Sequence, residues 1–143
     1  MLIAHVIRDK GPKVHTLRAD ATLQDAAKEL LQKKVGALVV LDENDRIRGV
    51  FSERDLVREV AKSGAAALET SVGEAMSRDV ITAGGHETVD ECLARMTDRR
   101  VRHLPVVEDV RLIGIVSIGD LVKHRIALVE AESAAMQAYI SAH

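Results

Sequence analysis

The chain is almost without aromatic residues and cysteine. Among its 143 residues there is one Phe, one Tyr and no Trp, so the hydrophobic core must be built from aliphatic side chains. The single cysteine, Cys92, excludes an internal disulfide framework and argues against a zinc site built from cysteines. We therefore expect a protein of the reducing cytoplasm.

Strong net charge and long apolar runs are also missing. The chain has 20 Lys and Arg against 22 Asp and Glu, so no field of one sign is available to attract a nucleic acid. No stretch reaches the roughly 18 apolar residues that a membrane span needs. The first residues, MLIAHVI, are too short for the apolar region of a signal peptide. We expect neither a nucleic acid nor a membrane as partner.

The motifs of common catalytic and metal sites do not occur. The six histidines form no helical pair with an acidic neighbour of the metalloprotease type, and no glycine-rich phosphate loop of the Walker type is present. Cys92 falls on the apolar face of a predicted helix, which indicates a buried thiol rather than a nucleophile. We expect no catalytic residue and no metal site. The alternative is a small enzyme such as a nucleotide hydrolase. It would require an activated nucleophile or a metal, and the sequence displays neither.

The chain does contain an internal repeat. GVFSERDL begins at Gly49, and GIVSIGDL begins at Gly114. A shift of 66 residues aligns the segments before these motifs, and after a one-residue deletion in a turn a shift of 65 aligns Asp55 with Asp120. Because one register holds over both segments, we interpret them as two copies of one unit.

Each copy predicts the order strand, helix, strand, strand, helix. In ATLQDAAKELLQKK, Thr22 is a candidate N-cap with Asp25 three residues later, and ETVDECLARMTDRR repeats the pattern with Thr88 and Glu91. The short β-branched runs ALVVL and HLPVV are followed by polar turns and by RIRGVF and RLIGIV. Ser52 and Ser117 open the second helices, which we predict from Asp55 to about Lys62 and from Asp120 onward.

These segments resemble a known family. VGALVVLDENDRIRGVFSERDL and VRHLPVVEDVRLIGIVSIGDL are similar to a tandem pair of cystathionine β-synthase (CBS) domains, a Bateman module, of the stand-alone two-repeat type. The resemblance implies an α/β fold in which two β-α-β-β-α repeats pack with pseudo-two-fold symmetry, followed by a longer C-terminal helix. It assigns residues 1–66 to an N-terminal segment and the first repeat, and residues 67–143 to a linker, the second repeat and the last helix.

The resemblance also implies a regulatory and non-catalytic function. CBS pairs bind adenosine-containing ligands in the cleft between repeats; we expect AMP, with NAD(H) or ATP as alternatives, and an unknown regulated protein. The other interpretation is a ligand-free dimerisation module in which the Ser-x-x-Asp motifs are only helix caps. CBS pairs commonly form two-fold dimers, so we expect a homodimer. The last helix, which we expect at or near the dimer interface, carries an apolar seam suited to packing against another helix; the alternative is that the N-terminal LIAHVI of the same chain buries it. The seam has steps of four and three residues: Val122, Ile126, Val129, Ser133, Met136 and Ile140.

The repeated Ser-x-x-Asp motifs are the candidate ligand-binding residues. A carboxylate at the start of a helix can accept both hydroxyls of a ribose, and a neighbouring serine adds a further hydrogen bond. The arginines of TDRRVRHLPV suit a phosphate. For Arg99 and Arg100 the alternative is that they complement the helix dipole.

Position in CBS pairs implies that each aspartate shares a cleft with the other repeat. The first implied site comprises Asp55, Ser52, Arg54, Val80, Ile81, Thr82, Val101, Arg102 and His103. The second comprises Asp120, Ser117, Val14, Thr16, Val35, Gly36 and Ala37. We expect the second site to bind an anionic nucleotide more weakly, because its residues place no cation opposite Asp120.

Overall fold

In the part of the chain that the structure describes, the first repeat and the segment before it contain three helices and three strands. A computed structural model describes residues 1–11 and 13–142. A helix that the sequence analysis did not predict, α1 (Ile3–Lys10), precedes the repeat. The repeat itself runs through β1 (Thr16–Arg18), α2 (Leu23–Lys33), β2 (Ala37–Leu41), β3 (Ile47–Ser52) and α3 (Glu53–Ser63).

The linker and the second repeat follow the same plan. The linker contains a 3₁₀ helix (Gly64–Glu69) and the short helix α4 (Val72–Ala75). The second repeat runs through β4 (Ala83–Gly84), α5 (Val89–Arg99), β5 (His103–Glu108), β6 (Arg111–Ser117) and α6 (Ile118–Ala142). The predicted order strand, helix, strand, strand, helix is confirmed in both repeats, as are the α/β class and the longer C-terminal helix.

Each repeat forms a three-stranded sheet. The strand orders are β1-β2-β3 and β4-β5-β6. In the first sheet β1 is parallel to β2, with Thr16 opposite Val39, and β2 is antiparallel to β3. In the second sheet β4 is parallel to β5. The helix between the first two strands makes each parallel connection possible.

The first helix of each repeat begins and ends in the same way. Thr22 Oγ1 accepts the Asp25 N–H at 3.2 Å, and Thr88 Oγ1 accepts the Glu91 N–H at 3.1 Å. Both predicted N-caps are therefore confirmed. The helices end at residues in the left-handed region, Lys34 with φ 56° and Arg100 with φ 55°. The apolar faces of these helices are buried, and Phe51 is fully buried in the aliphatic core of the first repeat.

The described residues divide into two compact units that do not follow chain order. One unit contains Lys13–Ile81 with the turn Asp109–Leu112, and the other contains α1, Thr82–Glu108 and the chain from Ile113 onwards. Thus α1 packs with the second repeat, and α4 packs with the first. The division into residues 1–66 and 67–143 stays a prediction.

The glycine of each repeated motif lies under a neighbouring segment. A Cβ atom on Gly49 would lie 2.5 Å from Met76 Sδ and 2.7 Å from the carbonyl oxygen of Ser77. A Cβ atom on Gly114 would lie 2.5 Å from Cδ1 of Ile7 in α1. Glycine recurs at these two positions because each sheet is approached closely there. Throughout residues 1–11 and 13–142, no helix has both the length and the apolar character that crossing a bilayer requires.

Candidate functional site

The first Ser-x-x-Asp motif joins β3 to α3. Asp55 Oδ2 accepts the backbone N–H of Ser52 at 2.9 Å and the Ser52 hydroxyl at 3.2 Å. Asp55 Oδ1 accepts from Arg58 Nη1 at 2.9 Å. Only 8% of Asp55 is exposed, so these donors replace the water that a surface carboxylate would bind.

Arg58 connects this carboxylate to the linker. Its Nη2 donates to the carbonyl oxygen of Ala75, the last residue of α4, at 2.8 Å. One guanidinium thus holds Asp55 and the end of α4 together through two hydrogen bonds in one plane. Because Arg58 lies on the same helix as Asp55, the ion pair between them restrains the carboxylate without help from another helix.

The second motif joins β6 to α6 and forms a reciprocal capping box. Asp120 Oδ2 accepts the Ser117 N–H at 2.9 Å, and Ser117 Oγ accepts the Asp120 N–H at 3.1 Å. Lys10 Nζ donates to the same Asp120 oxygen at 2.6 Å and to the carbonyl oxygen of Ile115 at 2.9 Å. Helix α1 therefore supplies a cation to Asp120 that the comparison of the two repeats did not include, and weaker binding of an anionic nucleotide at the second site stays a prediction.

The neighbours of Asp120 set the direction in which its pKa is shifted. Burial by itself would raise the pKa of Asp120, but the hydrogen bonds from Lys10 and Ser117 and the charge of Lys10 together hold it below its ordinary value. A second contact joins the same two helices: His124 Nε2 lies 3.3 Å from Asp9 Oδ2, and His124 Nδ1 lies 2.9 Å from the backbone oxygen of Asp120. The end of α1 is thus bound to the start of α6 by side chains.

Each motif also contacts the segment before the second strand of its own repeat. The Glu53 N–H donates to the carbonyl oxygen of Gly36 at 3.0 Å, and the Ile118 N–H donates to that of Arg102 at 2.8 Å. These are equivalent bonds, because Gly36 and Arg102 align in the repeat. The structure thus places the Arg102 backbone beside the Asp120 motif. The grouping of Asp55 with Arg102 and His103 stays a prediction.

The remaining implied residues lie at strand starts or just before them. Thr16 begins β1, Ala37 begins β2 and His103 begins β5, whereas β4 begins only at Ala83. The residues that precede strands are Val14, Val35, Gly36, Val80, Ile81, Thr82, Val101 and Arg102. Arg54 is exposed in the first turn of α3.

An ion pair that the sequence analysis missed fixes the segment before β4. Arg95 pairs with both carboxylate oxygens of Glu87, and its Nη1 also donates to the Thr82 carbonyl oxygen at 2.9 Å. Glu87 Oε2 further accepts the Gly84 N–H at 2.7 Å. The Arg95 hydrogen bond lowers the pKa of Glu87 to about 2. The aligned residues of the first repeat, Ala21 and Glu29, cannot form this pair.

Two further kinds of site were considered from the sequence, a reactive cysteine and a metal centre. Cys92 is buried, and burial raises the pKa of its thiol to about 11, so the thiol is protonated at neutral pH. Within the part of the chain that the structure describes, no group of three or more His, Cys, Asp or Glu side chains is arranged to hold a metal ion.

A cavity of about 130 Å³ lies between the start of α5 and the first turns of α6. Ligand pockets commonly measure about 300–1,000 Å³, so this cavity is too small for a nucleotide. Its lining residues are Met1, Thr88, Val89, Asp90, His124, Arg125 and Leu128.

Family models, related sequences and solved structures all identify CBS domains as what this chain is similar to. The model of the CBS domain matches residues 7–62 and 72–127. The CBS domain-containing protein CBSX3, mitochondrial, of Arabidopsis thaliana is 35% identical over 146 aligned residues, which cover 96% of this chain and 71% of that protein.

Two solved structures are informative. The CBS-domain containing protein ATU1752 from Agrobacterium tumefaciens superimposes with a TM-score of 0.84 at 43% identity, covering 87% of this chain and 92% of that one. The CBS domain pair of protein MJ0100, solved in complex with 5′-methylthioadenosine and S-adenosyl-L-methionine, superimposes with a TM-score of 0.80 at 25% identity, covering 89% of this chain and 97% of that one.

Proposed function

Because the chain belongs to the CBS-domain family and carries two of its domains in tandem, we propose that it is a regulatory module that binds an adenosine-containing ligand. The observation that carries the proposal is the Asp55 carboxylate, which is buried at a helix start and held by two Ser52 donors and Arg58. Binding of two adenosine-containing compounds by the MJ0100 pair supports this class of ligand.

In this proposal Asp55 accepts the ribose hydroxyls of the ligand. Its position is set before the ligand arrives, so binding does not have to order a flexible side chain. AMP is the ligand that we propose first, with NAD(H) or ATP as alternatives, and Arg54 at the exposed first turn of α3 is a candidate for the phosphate. The other residues of the two implied sites stay predictions.

The proposal contains no catalytic step. The ligand acts by occupancy, changing how the protein binds a regulated partner. The cytoplasmic location stays a prediction.

The test is calorimetric titration of AMP into wild-type protein, Asp55→Asn and Asp25→Asn. Asp55→Asn keeps the size of the side chain but removes the charge that strengthens its hydrogen bonds, an effect of about 1.5–3 kcal/mol or at least tenfold in Kd. Asp25→Asn is the matched control, because Asp25 has the same capping role on α2 outside the proposed site.

The outcomes separate the alternatives. Unchanged AMP affinity in Asp55→Asn at equal folded fraction would contradict the role of Asp55. If the wild-type protein binds neither AMP, NAD(H) nor ATP, the ligand-free dimerisation module becomes the better interpretation.

We also propose that the chain forms a homodimer through α6. This 25-residue helix is about 37 Å long at 1.5 Å per residue, and an apolar stripe follows its length. The exposed fractions of the stripe are high: Val122 42%, Ile126 52%, Val129 46%, Met136 60% and Ile140 65%. The N-terminal segment does not cover it, because Ile3 and Val6 are buried elsewhere while the stripe remains exposed. A second copy offers the same spacing of apolar residues, which an antiparallel or parallel helix pair can bury.

Light scattering at micromolar concentration tests the dimer. We expect twice the chain mass for the wild type and the mass of one chain for Ile126→Glu/Met136→Glu, which places charges in the stripe. Ala131→Glu/Ala138→Glu adds the same charges to the opposite exposed face and should remain dimeric. A wild-type monomer would contradict the proposal.

A further inference from the structure

We infer that Lys10 is a latch: its ion pair with Asp120 ties the end of α1 to α6, and this ion pair must break when a ribose binds the Asp120 carboxylate. The inference rests on the proposed function and adds to it an output of ligand binding, namely the release of the last turn of α1. It is carried by contacts within one compact unit.

Lys10 and a bound ribose would compete for the same carboxylate. Lys10 Nζ lies 2.6 Å from Asp120 Oδ2, which also accepts the Ser117 N–H at 2.9 Å. A ribose that donates two hydroxyls to Asp120 needs acceptor positions on both carboxylate oxygens, and one oxygen is already shared by two donors. The Lys10 ammonium is the donor that can leave, because the Ser117 N–H belongs to the helix cap.

The competing cations of the two motifs come from different parts of the chain. Asp55 is paired with Arg58 from its own helix, which also donates to the carbonyl oxygen of Ala75 at the end of the neighbouring short helix α4. Asp120 is paired with Lys10, which is 110 residues away on α1. Displacing Lys10 therefore removes a contact between α1 and α6 and connects ligand binding to the position of α1.

The two ends of α1 are held by different kinds of contact. The first turn is fixed by backbone bonds, from Ile3 N–H to Glu87 O at 2.8 Å and from Ala4 N–H to Gly85 O at 2.9 Å, and by burial of its apolar side chains. Beyond Ile7 the last turn is held by side-chain contacts, from Asp9 to His124 of α6 and from Lys10 to Asp120 of α6 and the Ile115 carbonyl oxygen of β6. Losing the Lys10 contact should open residues 8–11 and leave the first turn docked.

Hydrogen exchange of the ligand-free protein tests the latch without a ligand. Lys10→Met should raise the exchange rates of the amides of residues 8–11 by about fivefold, with no change at residues 5–7. Arg8→Met, which removes a cation from the same turn, should leave these rates unchanged. Asp120→Asn should raise the same rates by a smaller factor, because Lys10 keeps its bond to the Ile115 carbonyl oxygen. The double variant should exchange like Lys10→Met, because Lys10 makes both bonds. Wild-type rates in Lys10→Met would overturn the latch.

Adenosine is the probe for the coupling, since it carries the ribose hydroxyls and no charge. Saturating adenosine should raise the exchange of residues 8–11 in the wild type, and Lys10→Met should bind adenosine about threefold to tenfold more tightly because its competitor is gone. Adenosine that binds by calorimetry without any change in exchange would overturn the latch and leave the proposed function standing. If neither protein binds adenosine while Lys10→Met still opens residues 8–11, ligand-driven release and ribose binding at Asp120 both fail, although the ion pair between α1 and α6 is upheld.

Discussion

The two repeats give the same aspartate different partners. In both, a serine N–H donates to the carboxylate at 2.9 Å, and the first amide of the helix donates to the segment before the second strand. Beyond this shared frame, Asp55 is held by Arg58 of its own helix, whereas Asp120 is held by Lys10 of α1. The two repeats share the hydrogen bonds that satisfy the backbone and differ in the charged side chains around them. The differences between the repeats are therefore where separate functions can reside.

Substitution of the motif glycines should give the largest difference in stability between the two repeats. At Gly49 an added Cβ would meet the Ser77 carbonyl oxygen at 2.7 Å, and backbone there is tied to β3 by two hydrogen bonds with Val50. At Gly114 the added Cβ would meet the end of the Ile7 side chain, which can rotate. We expect Gly49→Ala to lower the free energy of unfolding by about 2–3 kcal/mol and Gly114→Ala by about 1 kcal/mol, measured in urea. Equal losses would show that the two close approaches are equally rigid.

The Glu87–Arg95 pair, present in the second repeat only, gives the next largest effect. Glu87→Gln should cost about 1.5–2 kcal/mol, because a partly buried charged hydrogen-bond network is weakened. The control is Asp45→Asn, which weakens an exposed pair with Arg18 at a left-handed position that Asn tolerates, and should change stability by no more than about 0.5 kcal/mol.

The same pair predicts a pH dependence. The pKa of Glu87 in the folded protein, about 2, is below its ordinary value of 4.5. The ionised carboxylate therefore contributes stability above about pH 4.5, and this contribution is lost as the pH falls towards 2. Denaturation curves over this range should be less steep in pH for Glu87→Gln than for the wild type. Parallel pH profiles would contradict the assignment.

Cys92 and its aligned partner Ala26 test how alike the two cores are. Both are fully buried on the first helix of a repeat. Cys92→Ala should cost about 1 kcal/mol, as expected for removing one buried heavy atom. In the native wild type, a thiol with a pKa of about 11 should react with a disulfide reagent only as fast as the protein opens. Complete reaction in urea is the control, and rapid labelling of the native protein would show that Cys92 is accessible.

Substitutions at the C-terminal ends of α2 and α5 should change stability least, and by the same amount in both repeats. Lys34 and Arg100 both adopt positive φ, a conformation that costs less for glycine than for a residue with a Cβ atom. Part of that gain is offset by the greater freedom of glycine in the unfolded chain. Lys34→Gly and Arg100→Gly should each raise the free energy of unfolding by about 0.5 kcal/mol. A gain in one repeat and a loss in the other would break the equivalence of the two ends.

Local features of the fold could be predicted because their partners are close in sequence. Thr22 and Thr88 each bind a residue three positions later, and the periods of the helices and strands need only a short window. The predicted start of the C-terminal helix, at Asp120, differs from Ile118 by two residues because the cap lies at Ser117.

The features that were missed depend on contacts that no short window contains. Lys10 reaches Asp120 only because α1 packs with the second repeat, and the N-terminal segment was not predicted to be a helix at all. Arg58 is different, since its spacing of three residues from Asp55 on a predicted helix was a readable signal. The Glu87–Arg95 pair spans eight residues across the start of α5, so its geometry follows from the turn before the helix rather than from a helical spacing.

The placement of α1 also has a consequence for the order in which the newly made chain can fold. Lys13–Ile81 form nearly all of one unit and leave the ribosome as one continuous stretch. Helix α1 is synthesised before both repeats, and its partner Asp120 follows Lys10 by 110 residues. At about 5–20 residues per second, its apolar face waits on the order of ten seconds for the second repeat. During that interval Ile3, Val6 and Ile7, all buried in the finished protein, are open to chaperones and to aggregation, so α1 precedes both repeats in synthesis but docks only with the second.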